Sequence, residues 1–353
     1  MKTLIIGGTV FLGRHLVEAA QARGHVVTLF NRGLHNPELF PNVEKLQGDR
    51  EVALDTLRGR RWDVVIDTCG FVPRIVRASA ELLAPAVERY VFISSLSVLA
   101  DNSTPGNDEN APVGKLPDPS TEERTPENYG PLKALCEQAV EEVMPGCALN
   151  IRPGLIVGPH DPTARFTYWP VRVARGGEVL APGRPERPVQ FIDARDLAQW
   201  IIHLAEAGES GVFNATGPDH TLTMEELLEE CRAVSGSRAR FTWVSEKFLA
   251  GAKVGEWMEM PLWISEEASP DARGFMSVNC AKAIAHGLTF RPLADTVRDT
   301  LDWASGLSEA PAPDTSYLTP RPKAGIEAER ESQVLKDWHE AKEVNVAREV
   351  TAR

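Results

Sequence analysis

Short apolar runs alternate with amphipathic stretches along the first half of the chain. Runs rich in Val, Ile, Leu and Phe predict strands at residues 2–6, 25–31, 43–46, 62–68, 89–94, 149–157, 189–192 and 211–215. Between them, apolar positions at helical spacing predict helices at residues 14–23, 51–59, 72–87, 126–143 and 196–207. Strands that are apolar on both faces and separated by helices are typical of a parallel sheet covered on both sides. The pattern therefore predicts an α/β fold with a doubly wound parallel sheet.

The first strand runs directly into a glycine-rich turn, and a helix follows. The turn reads Gly7-Gly8-Thr9-Val10-Phe11-Leu12-Gly13. Gly7 lets the backbone turn sharply as it leaves the strand, and Gly13 removes a side chain where the helix lies close to the strand. Free N–H groups and the dipole at the helix start favour an anion such as a cofactor diphosphate. This order of elements predicts a Rossmann-type dinucleotide-binding unit.

Two parts of the chain do not follow the alternation of strand and helix. Residues 161–188 and 216–305 are rich in Trp and Met, which favours either a smaller substrate-binding lobe or simply the core of a second lobe. The NAD(P)-binding domain then consists of residues 1–160 together with the returning elements at 189–215. Residues 306–353 begin as a Pro-rich linker and continue as a charged helical tail, which we expect to be docked or frayed.

Composition narrows the class of protein. Of 353 residues, 42% are hydrophobic and 25% are charged, as in ordinary globular proteins. The net charge of −12 disfavours nucleic acid or an anionic membrane as the main partner. No apolar run approaches the ~20 residues that span a bilayer. Five cysteines without a CxxC pair indicate reduced thiols. We therefore expect a cytoplasmic protein that acts on a small molecule, with no metal site.

Candidate chemistry follows the predicted strand at 89–94. Tyr129 and Lys133 are four residues apart, so they share one face of the predicted helix. An ammonium near a phenol lowers the phenol pKa, which suits a general acid or base acting on a carbonyl or an alcohol. Ser95 follows the strand and supplies a hydroxyl at the carboxyl edge of the sheet. A Ser-Tyr-Lys set behind a nucleotide-binding loop predicts carbonyl reduction or alcohol oxidation.

These motifs resemble those of the extended and atypical short-chain dehydrogenases/reductases, the NAD-dependent epimerase/dehydratase family. The resemblance covers roughly residues 1–305, and its marks are GGTVFLG at 7–13, GD at 48–49, FISSLSV at 92–98, YGPLK at 129–133, IRPGLIVGP at 151–159 and FIDARDLA at 191–198. It implies that the loop residues Gly7, Thr9, Val10, Phe11, Leu12 and Gly13 bind the pyrophosphate. It also implies that Asp49 contacts the adenine amine and that Pro153 flanks the nicotinamide. By the same resemblance, Ser95 is the triad hydroxyl, Tyr129 is the general acid/base, and Lys133 holds the nicotinamide ribose.

Departures from the family pattern are informative. Val10 replaces the middle glycine of the loop, as in atypical members. Leu155 stands where sugar-nucleotide enzymes usually carry an Asn that binds substrate, which favours a less polar substrate. Leu96 and Ser97 follow Ser95 where the dehydratases carry an acid pair, so dehydration is not expected.

The end of the second strand bears on the choice of cofactor. An acid at this point would bind the ribose 2′-hydroxyl and repel a 2′-phosphate. The chain instead carries Asn31 and Arg32, and the Arg32 guanidinium can pair with a phosphate. We therefore predict NADP, with NAD as a possible cofactor. The alternative is that Arg32 simply points to solvent.

The predicted second lobe offers weaker candidates for substrate contact. They are His160, Phe166 and Trp169, together with Leu155; Arg165, Arg184 and Arg187 could hold an anionic group. Solvated loops explain the histidine and the arginines equally well, and the aromatic residues could belong to the core.

The leading prediction is an NADP-dependent oxidoreductase that reduces a ketone or aldehyde of a small, fairly apolar molecule. One alternative is a nucleotide-sugar epimerase with tightly bound NAD. Another is a non-catalytic NAD(P)-sensing or RNA-associated protein, since atypical members of the family resemble chloroplast stem-loop RNA-binding proteins and redox-sensing regulators. The chain is expected to be a monomer or a homodimer.

Overall fold

A computed structural model of the chain describes residues 1–307 and 324–351. Its strands are β1 (Lys2–Ile6), β2 (Val26–Asn31), β3 (Glu44–Gln47), β4 (Val64–Asp67), β5 (Arg89–Ile93), β6 (Ala148–Pro153), β7 (Ile156–Val157), β8 (Glu178–Pro182), β9 (Pro188–Asp193), β10 (Gly211–Ala215), β11 (Gly217–Thr223) and β12 (Arg240–Val244). Its α-helices are α1 (Leu12–Ala22), α2 (Pro73–Leu83), α3 (Pro126–Val143), α4 (Tyr168–Ala174), α5 (Ala194–Ala207), α6 (Met224–Ser235), α7 (Glu246–Gly251), α8 (Ala281–Ala285), α9 (Leu293–Leu307) and α10 (Ala328–Thr351).

Seven strands form one parallel sheet in the order β10-β6-β5-β4-β1-β2-β3. From the neighbours β1 and β4, the chain proceeds outward to β2 and β3 on one side and to β5 and β6 on the other. This change of direction opens a crevice at the carboxyl ends of β1 and β4, where doubly wound folds bind their ligands. The predicted α/β, Rossmann-type sheet is confirmed.

Helices cover both faces of the sheet, which explains why the strands read as continuous apolar runs. Neighbouring residues of β1 point to opposite sides: Ile5 packs into one buried cluster and Leu4 into the other. The Ile5 cluster includes residues of α1 and α5, and the Leu4 cluster includes residues of α2 and α3. The sheet is therefore a middle layer with no solvent-facing side along its central strands.

The start of helix α3 is set by a side-chain cap and a proline. The Thr125 hydroxyl accepts a hydrogen bond from the Asn128 N–H at 3.2 Å, and Pro126 occupies the first helical position. A hydroxyl cap followed by proline is a typical helix start, because proline has no N–H to leave unsatisfied there. This start fixes the position of Tyr129 in the first turn.

Two local predictions were wrong. The helix expected at residues 51–59 is only a 3₁₀ turn at Asp55–Leu57, because Leu57 alone is buried there and so short a segment cannot sustain a helix without an apolar face. The strand expected at residues 149–157 breaks at Gly154. The Gly154 N–H bonds to the Ala215 carbonyl, and a Cβ at Gly154 would lie 2.5 Å from the Thr216 hydroxyl oxygen.

The chain divides into two compact units. The first comprises residues 1–156, 190–220 and 274–291, and the second comprises residues 157–189, 221–273 and 292–353 so far as these are described. Residues 274–291, which the sequence analysis assigned to the substrate lobe, therefore belong to the first unit. Gln190 holds them there, since its side chain exchanges two hydrogen bonds of 2.8 and 3.1 Å with the Val278 backbone.

The second unit contains the parallel pair β8 and β12 with helices α4, α6, α7, α9 and α10. The start of α10 is docked rather than frayed. The buried Glu331 carboxylate accepts bonds from the Arg172 guanidinium at 2.6 Å and from the Leu180 N–H at 2.9 Å. The predicted Pro-rich linker at 310–313 lies outside the described residues. Among the described residues, no helix has both the length and the apolar character needed to cross a membrane.

Candidate active site

The glycine-rich turn after β1 has the backbone that its sequence suggests. Gly7 and Gly8 adopt φ values of +111° and +100°, which residues with a Cβ rarely adopt. A Cβ at Gly13 would lie 2.7 Å from the Gly8 nitrogen, so α1 can approach the turn only with glycine at this position. Gly8 was not among the predicted residues, although its place between strand and helix is a signal for it.

Helix α1 begins without a side-chain cap. Phe11 is the residue that precedes the helix, and its side chain accepts no N–H of the first turn. Thr9 and Leu12 are buried, whereas Val10 and Phe11 are half-buried at the rim of the turn. Uncapped N–H groups and the positive end of a helix dipole suit an anionic oxygen ligand. The turn therefore fits the diphosphate of a dinucleotide.

Two asparagines brace this turn from outside. The Asn31 amide donates to the Gly7 carbonyl at 2.9 Å and accepts the Gly33 N–H at 2.9 Å. The Asn36 amide donates to the Thr9 carbonyl at 2.7 Å. Sequence reasoning placed Asn31 beside the ribose and did not single out Asn36. In the structure, both amides shape the loop that would receive the cofactor.

Arg32 and Asp49 lie on loops at the same edge of the sheet. The Arg32 side chain is exposed, and its backbone carbonyl accepts a bond from the Gln47 amide at 3.0 Å. Asp49 follows β3 and is half-buried, with its carboxylate accepting the Glu51 N–H at 3.0 Å. The edge thus presents one cationic and one anionic side chain on neighbouring loops.

Ser95 follows β5 in extended backbone and begins a 3₁₀ turn at Leu96–Val98. Its hydroxyl oxygen accepts the Ser97 N–H at 3.1 Å, and the hydroxyl donates to the Ser97 hydroxyl, also at 3.1 Å. Ser95 is half-buried and Ser97 is exposed. This hydrogen-bonded pair fixes the direction of the Ser95 hydroxyl at the carboxyl edge.

Tyr129 is brought to this turn by its neighbour in sequence. A Cβ at Gly130 would lie 1.9 Å from the Ser97 carbonyl oxygen, so the first turn of α3 packs directly on the Ser95–Val98 turn. Tyr129 is half-buried. The structure thus brings Ser95 and the Tyr129 turn together, and the glycine after Tyr129 is a signal that sequence reasoning missed.

Lys133 lies one helical turn further along α3 and is only 2% exposed. Its ammonium donates to the Gly70 carbonyl at 2.8 Å and to the Ile93 carbonyl at 2.6 Å. It also sits over the rings of Phe92 and Phe71, at 4.4 and 5.1 Å from the centroids. These contacts anchor the ammonium beside β5 rather than on Tyr129. These two bonds use two of its three N–H donors.

Pro153 and Leu155 lie at the carboxyl end of β6. Both are buried, and the Leu155 carbonyl accepts the Ile192 N–H at 2.9 Å. An apolar side chain held in this way offers no hydrogen bond to a polar substrate.

The remaining candidates belong to the second unit. Phe166 and Trp169 are fully buried, and the Trp169 indole donates to the Pro261 carbonyl at 3.0 Å. Complete burial favours the core interpretation over a substrate-contacting wall for both rings. His160 has φ +72° and its ring meets the edge of Trp303 at 5.5 Å.

The three arginines proposed for substrate contact all pair with side chains of the second unit. Arg165 stacks over Trp257 at 5.3 Å from the ring centroid. Arg184 and Arg187 pair with Glu266 and Glu246, respectively, at 3.1 and 3.0 Å.

Sequence reasoning also missed a buried ion pair at the end of β4. The Arg50 guanidinium binds both carboxylate oxygens of Asp67, at 2.6 and 2.8 Å, and the Tyr90 hydroxyl donates to the same carboxylate. Burial by itself would raise the pKa of Asp67, but the facing guanidinium outweighs it and lowers that pKa below its ordinary value. An acid that ends an apolar run is the signal that could have prompted a search for its partner.

Residues 3–216, more than half of the chain, match the sequence model of the NAD-dependent epimerase/dehydratase family. The chain belongs to the NAD-dependent epimerase/dehydratase family. The resemblance stated from the motifs is thereby confirmed. A glycine-rich turn at the switch point of a parallel sheet is where doubly wound folds bind dinucleotides.

The chain has a curated relative at low sequence identity. The chain is 26% identical over 260 residues to chloroplast stem-loop binding protein of 41 kDa b from Arabidopsis thaliana, a match covering 67% of this chain and 63% of that protein. It thus spans less than two thirds of that relative.

Solved structures with this fold include two in complex with a nicotinamide cofactor. UDP-glucuronic acid 4-epimerase from Bacillus cereus, in complex with NAD, superimposes with a TM-score of 0.63 at 15% identity, covering 87% of this chain and 99% of that one. Human epimerase family protein SDR39U1, with NADPH, gives a TM-score of 0.57 at 21% identity, covering 86% and 99%.

Proposed function

We propose that the chain is an NADP(H)-dependent oxidoreductase that reduces a ketone or aldehyde of a small, fairly apolar molecule. The observation that carries the proposal is the contact of α3 with the Ser95–Val98 turn, which only glycine at position 130 permits. This contact supports a Ser95 and Tyr129 pair at the sheet edge that also bears the glycine-rich turn. Buried Leu155 supports an apolar substrate, and exposed Arg32 supports the 2′-phosphorylated cofactor.

The chemistry follows from these groups. A bound nicotinamide cofactor supplies the hydride that converts the carbonyl carbon to that of an alcohol. When the carbonyl binds, the Ser95 O–H turns from the Ser97 hydroxyl to the carbonyl oxygen. With Tyr129 it then donates hydrogen bonds that stabilise the negative charge developing on that oxygen. Tyr129 then gives that oxygen its proton. The Lys133 ammonium adds positive charge beside β5 and retains one N–H for a ribose hydroxyl.

The decisive test is Tyr129→Phe, assayed with NADPH and a panel of ketones and aldehydes. We expect kcat to fall by a factor on the order of 10²–10⁴, because the proton donor is lost. NADPH affinity should change little, because the phenol is not part of the nucleotide-binding turn. Tyr168→Phe is the matched control, since the Tyr168 hydroxyl is buried without a hydrogen-bond partner among the described residues.

Other outcomes separate the alternative functions. Undiminished turnover in Tyr129→Phe would remove this residue from the mechanism. NAD retained through purification, with no net redox turnover, would support a nucleotide-sugar epimerase. NADPH binding without turnover on any carbonyl would support a sensing or RNA-associated role, to which the name of the Arabidopsis relative corresponds. The net charge of −12 disfavours that last role.

We further propose a cytoplasmic location and a monomer or homodimer. All five cysteines lie in the described part of the chain and are unpaired, which is compatible with a reducing compartment. Between α2 and the end of α3, the partly exposed side chains of Arg77 and Glu142 form an ion pair. A dimer through these helices would therefore be polar.

A further inference from the structure

The Asp67 carboxylate connects several segments below the candidate cofactor edge. It ends β4 and is completely buried. Its partners are Arg50 from the loop after β3, Tyr90 from β5 and the backbone N–H of Cys69 from the loop after β4. Each donor comes from a different segment, so one carboxylate holds two loops and a strand in fixed relation.

Arg50 carries this restraint to the Asp49 loop. Its side chain is only 9% exposed and makes a further bond of 3.0 Å to the Ser79 hydroxyl in α2. Because Arg50 directly follows Asp49, the Asp49 backbone cannot shift far without breaking a buried ion pair. The matching of guanidinium and carboxylate in two parallel bonds makes the restraint directional.

On the other side of Asp67, the loop that contains Gly70 links the ion pair to Lys133. A Cβ at Gly70 would lie 3.2 Å from an Asp67 carboxylate oxygen and 2.6 Å from the Phe92 ring, so this loop is packed tightly against the ion pair. The Gly70 carbonyl in turn accepts the Lys133 ammonium. A bonded path therefore runs from the loop of Asp49, through Arg50 and Asp67, to Lys133.

We propose that Arg50 is a positioning residue for the dinucleotide: through Asp67 it holds the Asp49 loop and the Lys133 ammonium in register. The proposal rests on the proposed use of NADP(H). Asp49 and Lys133 are the residues expected at the adenine and at the nicotinamide ribose, respectively. A ligand that spans both ends gains affinity when the two ends are already fixed, because less ordering is left to the moment of binding.

The experiment compares wild-type protein, Arg50→Lys and Arg291→Lys as full chains. Arg291 makes a similar two-bond ion pair with Asp196 in the same unit, away from these loops. Calorimetry measures the affinity for NADPH and for adenosine 2′,5′-bisphosphate, which represents the adenine half alone. Hydrogen–deuterium exchange of the ligand-free proteins measures the opening of residues 48–53 and 68–71.

We expect Arg50→Lys to weaken NADPH binding at least tenfold and to weaken the adenine fragment less. Exchange should accelerate in both loops. Arg291→Lys should show none of these changes. A merely structural ion pair would lower thermal stability without altering NADPH affinity or loop exchange, and that result would overturn the proposal.

A milder variant keeps the proposal testable if Arg50→Lys fails to fold. Tyr90→Phe removes one donor from Asp67 and keeps the buried ring, so it should weaken NADPH binding about two- to threefold in the same sense. Unchanged affinity in both Arg50→Lys and Tyr90→Phe would contradict the positioning role alone. If the wild-type protein bound neither NADPH nor NADH, the proposed function would fail as well, so the two failures are distinguishable.

Discussion

At the end of β2, the nitrogen and the oxygen of the Asn31 side-chain amide both form hydrogen bonds with the backbone. The amide donates to the Gly7 carbonyl and accepts the Gly33 N–H. An amide engaged in this way shapes the loop and leaves cofactor discrimination to a neighbour. We propose Arg32 as that neighbour, because its side chain is exposed and residues 30–37 contain no acid that would repel a phosphate.

Arg32→Ala tests this division of roles. We expect KM for NADPH to rise about tenfold, equivalent to about 1.4 kcal/mol, because a charge-assisted phosphate contact is lost. KM for NADH should hardly change. Steady-state kinetics with both cofactors measures the difference, and Arg61→Ala removes the same charge from another exposed position as a control. Equal losses for NADPH and NADH would contradict a 2′-phosphate contact.

The roles of the glycines were easier to predict from the sequence than the hydrogen-bond and ion-pair partners of polar residues. The positive φ of Gly7 and the close packing of Gly13 follow from a glycine turn between strand and helix, and both could be anticipated. The two bonds of Asn31 could not, because they depend on where the turn brings the carbonyl of Gly7. The Arg50–Asp67 pair likewise joins a residue of the loop after β3 to the last residue of β4, and neither segment has a pattern that identifies its partner.

Among the elements, α3 does most to assemble the candidate site. Its start is fixed by the Thr125 cap, and its first turn rests on the Ser97 carbonyl because Gly130 has no side chain. Helix propensity alone would favour alanine at position 130 by about 1 kcal/mol. Steric conflict decides otherwise, since a Cβ 1.9 Å from an oxygen cannot be accommodated without moving the helix.

Gly130→Ala therefore separates the two effects. We expect lower stability, not higher, and a fall in kcat on the order of 100-fold, because a displacement of about 1 Å misaligns the Tyr129 hydroxyl. Chemical denaturation and carbonyl reduction assays measure the two quantities. Gly251→Ala in α7 is the control, since nothing lies within 4 Å of its added Cβ. A Gly130→Ala protein as stable and active as the wild type would show that α3 does not set the geometry.

Element type was predictable where burial was strong. The central strands are apolar on both faces and therefore read as continuous runs, so most of the sheet could be located from the sequence. The segment 51–59 has helical spacing but buries only Leu57, and without a packed face it stays a short turn. Helical spacing of apolar residues thus predicts a helix only where tertiary contacts bury its apolar face.

At the scale of the whole molecule, the tail is part of a folded unit. Glu331, near the start of α10, is buried between the Arg172 guanidinium and the Leu180 N–H, and the backbone of Gly325 lies against the Tyr168 ring. The charge pattern of the tail alone is compatible with a docked or a frayed helix. The difference comes from one carboxylate that satisfies a buried cation and a strand N–H together, which composition does not reveal.

Glu331→Gln should therefore destabilise the protein although it lies far along the chain from every candidate site residue. Removing the charge leaves the Arg172 guanidinium buried without its counterion, which costs about 3 kcal/mol. Urea unfolding followed by tryptophan fluorescence measures the loss. Glu340→Gln is the control within α10, because Glu340 and Lys336 are more than half exposed and such a pair contributes less than about 1 kcal/mol. If both variants unfolded at the wild-type urea concentration, the tail would be an appendage whose removal the second unit tolerates.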